Sequence, residues 1–211
     1  MKDAGWEPVH FPFTRIVPLG TPPPQALSAY SAVLLPSPNA AWALRPWLHA
    51  DQAPVLVAQG QGTLDALASL EVPPDRLRRA SVPTAEGIWE LLQAEFPQGG
   101  SFLLARGERS RGFLEEVATG TPWRIWPWVT HREQPADPPP PLPKVDGVLA
   151  LSPLQAEILG RLAHRVLRFG WGERTAFGFQ SAGAEATATC EPRIEALTAM
   201  LRQHISPKAR P

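Results

Sequence analysis

The sequence predicts an α/β protein of two similar lobes, each a doubly wound parallel sheet, joined by a two-segment hinge. Three observations support this fold class. Parts of the chain repeat at an offset of 115 residues, so that Ser37-Pro38 aligns with Ser152-Pro153. Short apolar runs alternate with helix-like segments, which is typical of parallel sheets covered on both faces. Proline-rich stretches interrupt the alternation at 21–24 and 135–143.

The repeat indicates two related α/β units rather than a short-period solenoid, because its offset changes only by loop-sized amounts. Val55–Gly60 aligns with Thr175–Gly178 at an offset of 118. Thr84–Glu86 aligns with Arg193–Glu195 at an offset of 109. Two similar lobes predict a cleft between them, and small ligands usually bind in such clefts.

Composition excludes several classes of protein. Lys+Arg and Asp+Glu both number 20 among the 211 residues, so the broad positive charge of a nucleic-acid binder is missing. The lone Cys190 excludes an intramolecular disulfide framework and fits a reducing cytosol. The apolar runs are strand-sized, and the N-terminus lacks the apolar stretch of a signal peptide. We therefore expect a cytoplasmic protein that binds neither nucleic acid nor membrane.

The prolines also indicate where the chain passes between lobes. Pro-rich segments form stiff, extended connectors, because proline fits neither a helix interior nor a central strand. Both connectors follow shortly after the repeated segments that contain Pro12 and Pro127. We predict a hinge ribbon at 13–20 and 126–134, one contiguous lobe over 21–125, and a second lobe formed by 1–12 and 135–211.

In the first lobe the apolar pattern predicts three strands, four helices and an extended closing segment. The third helix has the clearest start, since Thr84 is a good N-cap and Ile88, Leu91 and Leu92 follow at helical spacing. The predicted strands are Ala32–Leu35, Val55–Ala58 and Ser101–Ala105, and the extended closing segment is Trp123–Trp128; the predicted helices are Asn39–Leu48, Thr63–Leu70, Thr84–Phe96 and Ser110–Val117.

The second lobe follows the same order but lacks one strand–helix pair. The counterpart of Ser101–Val117 would precede Met1, so we expect the natural start to lie upstream, the alternative being a damaged lobe. The predicted strands are Val148–Leu151 and Ala176–Phe179; the predicted helices are Pro153–Leu167, Ala182–Ala188 and Ile194–Gln203.

Candidate binding residues lie where predicted strands lead into helices, the usual ligand position in doubly wound sheets. Helix N-termini there expose N–H groups that suit carboxylates or phosphates. The alternatives are that the hydroxyl residues only cap helices and that the arginine cluster around Arg106 is a solvated helix face. The candidates are Ser37, Gly60, Thr63, Thr84, Arg106, Ser152, Gly178, Gln180 and Ser181.

Other chemistries find little support in the sequence. Gly60-Gln-Gly62 lacks the third glycine of a dinucleotide loop, and the five histidines are scattered without metal-ligand spacing. Cys190 has no local motif of a nucleophile and fits an ordinary buried thiol. The residues by themselves therefore predict a two-lobed binder of a polyanion.

Several motifs follow one another in the order of one known family. Leu103-Leu-Ala-Arg-Gly-Glu-Arg109 matches a Leu-x-x-Arg-Gly-x-x-Arg pattern, and Thr84-Ala-Glu-Gly87 matches a helix start. Gly60-Gln-Gly-Thr63 is similar to a Gly-x-x-Thr loop, and Val33–Ala40 and Val148–Pro153 complete the series. Together they resemble the uroporphyrinogen-III synthases over about residues 3–203.

The resemblance implies a specific reaction. The family closes hydroxymethylbilane, a linear tetrapyrrole with eight carboxylates, to uroporphyrinogen III, with loss of water and inversion of the last ring. It implies no cofactor and no metal, a monomer, and hydroxymethylbilane synthase as the pathway neighbour. His131 falls where the family carries a tyrosine suited to assist the leaving hydroxyl, so it is the candidate catalytic residue. The family's Gly-Pro-Thr-Thr loop aligns with Gly178–Ser181.

Two other functions remain open on the sequence. The chain could bind a tetrapyrrole or another polyanion without turnover, which the histidine at the tyrosine position favours. It could also be an unrelated hinged module for a small anionic solute.

Overall fold

A computed structural model describes residues 6–49, 54–163, 165–191 and 193–205. The chain divides into two compact units, here called the central unit (16–133) and the terminal unit (1–15 with 134–211). It changes unit within β1 (Thr14–Pro18) and again within β6 (Trp123–Pro135), which are neighbours in one sheet. Both changes fall inside the segments predicted as hinge; a hinge motion there stays a prediction.

The central unit is built on a six-stranded sheet in the order β1-β6-β5-β2-β3-β4. The ladder from β6 to β4 is parallel throughout. β2 (Ala32–Leu35), at its centre, is wholly buried and consists of Ala-Val-Leu-Leu, a run without polar residues that is typical of a strand covered on both faces. The remaining strands are β3 (Val55–Ala58), β4 (Leu77–Arg79) and β5 (Gly100–Gly107).

Helices cover both faces of this sheet. α1 (Pro38–Leu44) and α2 (Gln61–Ala68) pack on the face that carries Val33 and Leu35. α3 (Ala85–Glu95) and α4 (Phe113–Val117) pack on the opposite face with Ala32 and Leu34. Alternate residues of β2 thus serve two separate cores, as the two-residue period of a strand requires.

The terminal unit has a parallel three-stranded sheet in the order β7-β8-β9. Its elements are β7 (Gly147–Ala150), α5 (Pro153–Leu162), β8 (Leu167–Trp171), α6 (Glu173–Ser181), β9 (Ala188–Cys190) and α7 (Ile194–His204). α5 and α6 pack on one face around Ala156, Leu159 and Phe179, and α7 packs on the other through Leu197 and Leu201. The succession repeats that of β2 to α3 in the central unit.

The middle of the terminal unit differs from the sequence prediction. The strand at Ala176–Phe179 is wrong, because these residues lie in α6; the helix at Ala182–Ala188 is wrong as well. The helix from Pro153 ends at Leu162, since Leu167 already begins β8. β3 therefore corresponds to β8, and the alignment at an offset of 118 is wrong.

Elsewhere the differences concern element ends. The helix predicted over Asn39–Leu48 ends at Leu44 and continues as one 3-10 turn, Arg45–Trp47, because Pro46 has no N–H to donate to the preceding turn. The strand β4 was not predicted. Compared with the predicted elements, α2 starts two residues earlier, at Gln61, and α4 starts three residues later, at Phe113. β6 extends beyond the predicted segment, to Pro135. The strand–helix pair expected before Met1 lies outside the described residues.

The predicted fold class, α/β with parallel sheets in two units, is confirmed. Within the described ranges, no helix is both long and apolar enough to cross a membrane.

Candidate functional site

The carboxyl edge of the central sheet contains the switch point of the fold. β3 and β4 lie to one side of β2, whereas β5 lies on its other side. α1 leaves β2 toward one face and α4 leaves β5 toward the other. Such a divergence opens a crevice at the strand ends, which is where open α/β sheets bind ligands. Ser37 follows β2 and Arg106 is the last residue but one of β5, so both flank this point.

Ser37 is the N-cap of α1. Its Oγ accepts a hydrogen bond from the Ala40 amide at 3.3 Å, and Pro38 occupies the first helical position. The capping role predicted as an alternative is therefore present, and it engages the hydroxyl oxygen that a ligand would also use.

The next loop starts α2 without a side-chain cap. Gly60 is the N-cap residue, and Thr63 in the first turn is 3% exposed. A Cβ on Gly60 would lie 3.4 Å from Pro83 Cβ, and one on Gly62 would lie 3.8 Å from Pro38 Cγ. The Gln59 side-chain amide also donates to the Pro83 carbonyl at 3.1 Å. The loop after β3 thus lies against both the loop after β2 and the loop after β4.

Thr84 caps α3, as predicted from the sequence. Its Oγ1 accepts from the Gly87 amide at 3.2 Å. Gly87 cannot be replaced without movement, because a Cβ there would overlap the Val82 carbonyl oxygen. At the same helix start the backbone amide of Glu86 lowers the pKa of its own carboxyl, as a helix N-terminus does for an acid.

The side chain of Arg106 is fixed by contacts with Glu115 and Ser110 of the central unit. Its Nε lies 3.0 Å from Oε1 of Glu115 on α4, and the two side chains are only 19% and 23% exposed. Nη1 lies 3.3 Å from the Ser110 hydroxyl oxygen. Glu115 therefore balances the charge of Arg106, which fixes the loop between β5 and α4.

His131 lies beside the end of β5, where the ladder pairs it with Gly107. The residue is 8% exposed, and its Nδ1 lies 2.8 Å from the Thr130 hydroxyl oxygen. A Cβ on Gly107 would lie 3.0 Å from His131 Nε2, so the absence of a side chain at Gly107 leaves room for the ring. Burial lowers the pKa of the imidazole below its ordinary value.

In the terminal unit Ser152 repeats the geometry of Ser37. Its Oγ accepts from the Gln155 amide at 3.2 Å, and Pro153 follows at the first helical position. Gln155 Oε1 in turn accepts from the Leu151 amide at 2.9 Å. The aligned Ser-Pro pairs are thus corresponding helix starts.

The structure corrects the loop predicted around Gly178, Gln180 and Ser181. All three lie within α6, far along the helix from its start. Gly178 is buried against α5, where a Cβ would lie 2.8 Å from Ala156 Cβ and overlap the Pro153 carbonyl oxygen. Ser181 Oγ donates to the Phe177 carbonyl one turn back, at 3.0 Å. These residues follow no strand, and the prediction that they form a strand-to-helix loop is wrong.

Gly172 and Thr175 lie where β8 leads into α6, a strand-to-helix loop that was not predicted from the sequence. Gly172 follows β8 as the N-cap of α6, and Thr175 is buried in the first turn with its hydroxyl donating to the Trp171 carbonyl at 2.9 Å. Gly172-Glu-Arg-Thr175 has the same Gly-x-x-Thr form as Gly60-Gln-Gly-Thr63. This shared pattern is the sequence signal by which the loop after β8 could have been identified.

The structure brings the predicted residues together in two groups within the central unit. Ser37, Gly60, Thr63 and Thr84 share the three contacting loops, while Arg106 and His131 share the end of β5. Across the described ranges, no three His, Cys, Asp or Glu side chains form a group that could hold a metal ion.

Comparisons with known proteins agree with this architecture. The family model for uroporphyrinogen-III synthase HemD matches residues 1–199. A search of the curated proteins finds no matching relative. Among solved structures, uroporphyrinogen-III synthetase from Helicobacter pylori is similar at a TM-score of 0.61 and 15% identity, with 90% of each chain covered. A mutant uroporphyrinogen III synthase from the extremely thermophilic bacterium Thermus thermophilus is similar at a TM-score of 0.56 and 20% identity, over 96% of this chain and 89% of the other.

Proposed function

Because the chain belongs to the uroporphyrinogen-III synthase family, we propose that it closes hydroxymethylbilane to uroporphyrinogen III. The reaction removes water at the terminal hydroxymethyl group and joins the two ends of the tetrapyrrole with the last ring inverted. The observation that carries the proposal is the family match, which spans residues 1–199 and so includes both the central sheet and most of the terminal unit.

The helix starts of the central unit suit a substrate with eight carboxylates. At Gly60 the first turn of α2 has no side-chain cap, so its amide N–H groups can donate to an anion. The contacting loops add the hydroxyls of Ser37, Thr63 and Thr84. We assign these four residues to carboxylate binding; Arg106 would take part only by sharing its guanidinium with Glu115.

Ser152 extends this assignment to the terminal unit, where it starts α5 as Ser37 starts α1. Gly172 and Thr175 replace the triplet Gly178, Gln180 and Ser181, since they follow β8 and begin α6. Gly172 has no side-chain cap, and so the start of α6 also offers free amide donors.

His131 is the residue that we assign to catalysis. It lies beside the end of β5, next to the switch point, and its burial removes it from bulk water. In this family catalysis would come from positioning of a flexible chain and from fixed dipoles rather than from a cofactor. We place the activity in the cytoplasm, in a monomer that receives hydroxymethylbilane from hydroxymethylbilane synthase.

A rate assay with a binding assay tests the proposal. Hydroxymethylbilane generated in situ should be consumed faster with the chain than by its spontaneous closure. The substitution His131→Ala should lower kcat while substrate binding, followed by tryptophan fluorescence, persists. Binding without acceleration would leave a tetrapyrrole binder, and no binding by the folded chain would contradict both functions.

A further inference from the structure

A β-bulge at the end of β5 brings two neighbouring side chains of β6 together. The ladder pairs Arg106 with Val129 and then Gly107 with His131, so Thr130 is the extra residue of the bulge. In a regular strand, successive side chains point to opposite faces and cannot meet. Here Thr130 and His131 are both buried, with Oγ1 and Nδ1 2.8 Å apart.

A second contact of the hydroxyl favours one direction for this hydrogen bond. Thr130 Oγ1 also lies 3.3 Å from the Arg106 carbonyl oxygen, which can only accept. The hydroxyl has one proton. If it donates that proton to the carbonyl, it must accept from Nδ1, which then carries the imidazole proton.

We propose that Thr130 is a positioning residue that holds neutral His131 in the Nδ1–H tautomer and leaves Nε2 as a hydrogen-bond acceptor. The tautomer rests on the geometry of the central unit alone. Its consequence for catalysis rests on the proposed function.

That consequence changes the part assigned to His131. A neutral imidazole protonated at Nδ1 has no proton on Nε2 to give to a leaving hydroxyl. It can instead accept a hydrogen bond from a pyrrole N–H of the substrate, which strengthens electron release from that ring toward the departing group. Since burial lowers the pKa of His131, the neutral form prevails near neutral pH.

The charged groups on neighbouring elements are few. Arg106 lies at the end of β5 and Glu108 follows that strand, Glu115 lies on α4, and Arg132 and Glu133 follow His131 on β6; Arg15 lies on β1, whose residues 16–18 carry no charge. Arg106 and Glu115 pair with each other.

Nitrogen NMR of the substrate-free protein tests the tautomer. In a long-range proton–nitrogen spectrum of the ¹⁵N-labelled chain, Nε2 couples to both ring protons, so the two nitrogens can be told apart; a spectrum of His131→Gln assigns the signals. We expect the unprotonated nitrogen of His131 to be Nε2. Protonated Nε2 in the wild type would overturn the proposal, whether or not the chain proves to be a synthase.

Two matched variants test the part of Thr130. Thr130→Ser keeps the hydroxyl and should keep the Nδ1–H tautomer. Thr130→Val removes the hydroxyl at nearly constant volume and should shift His131 toward the Nε2–H form; an unchanged tautomer in a folded Thr130→Val protein would contradict the positioning role. If Thr130→Val fails to fold, the comparison of the wild type with Thr130→Ser still tests the positioning role of Thr130. A change of the His131 tautomer in Thr130→Ser would contradict that role.

The pH dependence of kcat then tests the catalytic consequence. If Nε2 acts as an acceptor, kcat falls as the pH drops through the pKa of His131, and this limb disappears in His131→Gln. If kcat instead rises as the imidazole is protonated, His131 acts as an acid and the acceptor role is wrong.

Discussion

Gly107 lies directly against the His131 ring, and a methyl group on it would come within 3.0 Å of Nε2. That distance is shorter than carbon–nitrogen contacts normally allow, so the ring would have to move. The space beside Nε2 is therefore set by a residue whose own side chain is missing.

Gly107→Ala should displace His131 and lower kcat by about tenfold, since small misplacements of catalytic groups cost about this much or more. Gly112→Ala is the matched control, because Gly112 has ordinary backbone angles and no atom within 4 Å of the added methyl. Steady-state kinetics of both variants measure the effect. Equal kcat values in the two would contradict a catalytic His131.

Ser37 can be tested as a cap and as a ligand separately. Ser37→Ala should lower the free energy of unfolding by about 1 kcal/mol, because the Ala40 amide loses its partner. Asn and Asp cap as well as Ser does, so Ser37→Asn and Ser37→Asp should keep the stability. If Ser37 contacts a substrate carboxylate, Ser37→Asp should raise KM well above that of Ser37→Asn. The same KM in both would leave Ser37 as a cap only.

Gly178 should prove structural rather than functional. The methyl group of Gly178→Ala would force α5 and α6 apart, at a cost of about 1–3 kcal/mol in the free energy of unfolding. Gln180→Ala, on the exposed face of the same helix, should be nearly neutral. Urea unfolding followed by circular dichroism compares the two. A Gly178→Ala protein as stable as the wild type would contradict the close packing of α6 on α5 at Gly178.

His131 should also make the stability of the central unit depend on pH. Its pKa is lowered by burial in the folded protein and is about 6.5 in the unfolded chain, so between these values the unfolded chain binds more protons. The free energy of unfolding should therefore fall as the pH drops below about 6.5 and level off below the folded pKa. His131→Gln should lack this contribution.

Tryptophan fluorescence suits that measurement, because six of the eight tryptophans lie in the central unit. The useful quantity is the difference between wild type and His131→Gln at each pH, since it cancels the titration of other groups. A difference that does not change with pH would mean that His131 titrates alike in the folded and unfolded chains.

The sequence predicted the central unit well because its local signals agree with its packing. β2 and β3 are apolar runs of strand length, and Thr84 marks the start of α3. The Ser-Pro pairs identified the corresponding starts of α1 and α5. The order of these elements follows from the short loops between them.

The terminal unit was harder because tertiary packing overrides its local pattern. The alignment with Val55–Gly60 at an offset of 118 suggested a strand here, but Gly178 allows this segment to pack closely on α5 as a helix. β8 was not predicted because the charged Arg168 interrupts its apolar pattern. In the structure the Arg168 guanidinium donates hydrogen bonds to the carbonyls of Glu185 and Ala163. Such partners are distant in sequence and leave no local signal.

The bulge at Thr130 lay beyond any sequence pattern, since it depends on the register between β5 and β6. The sequence placed His131 near the site through alignment alone. Its contact with Thr130 and the gap at Gly107 required the structure.

The most direct test of the central claim is the isomer composition of the product. Hydroxymethylbilane, made in situ by hydroxymethylbilane synthase, would be incubated with the folded chain, and the oxidised type I and type III uroporphyrins would be separated. Spontaneous closure gives type I. We predict type III well above the amount formed without the chain; type I alone from a well-folded protein would contradict the synthase function.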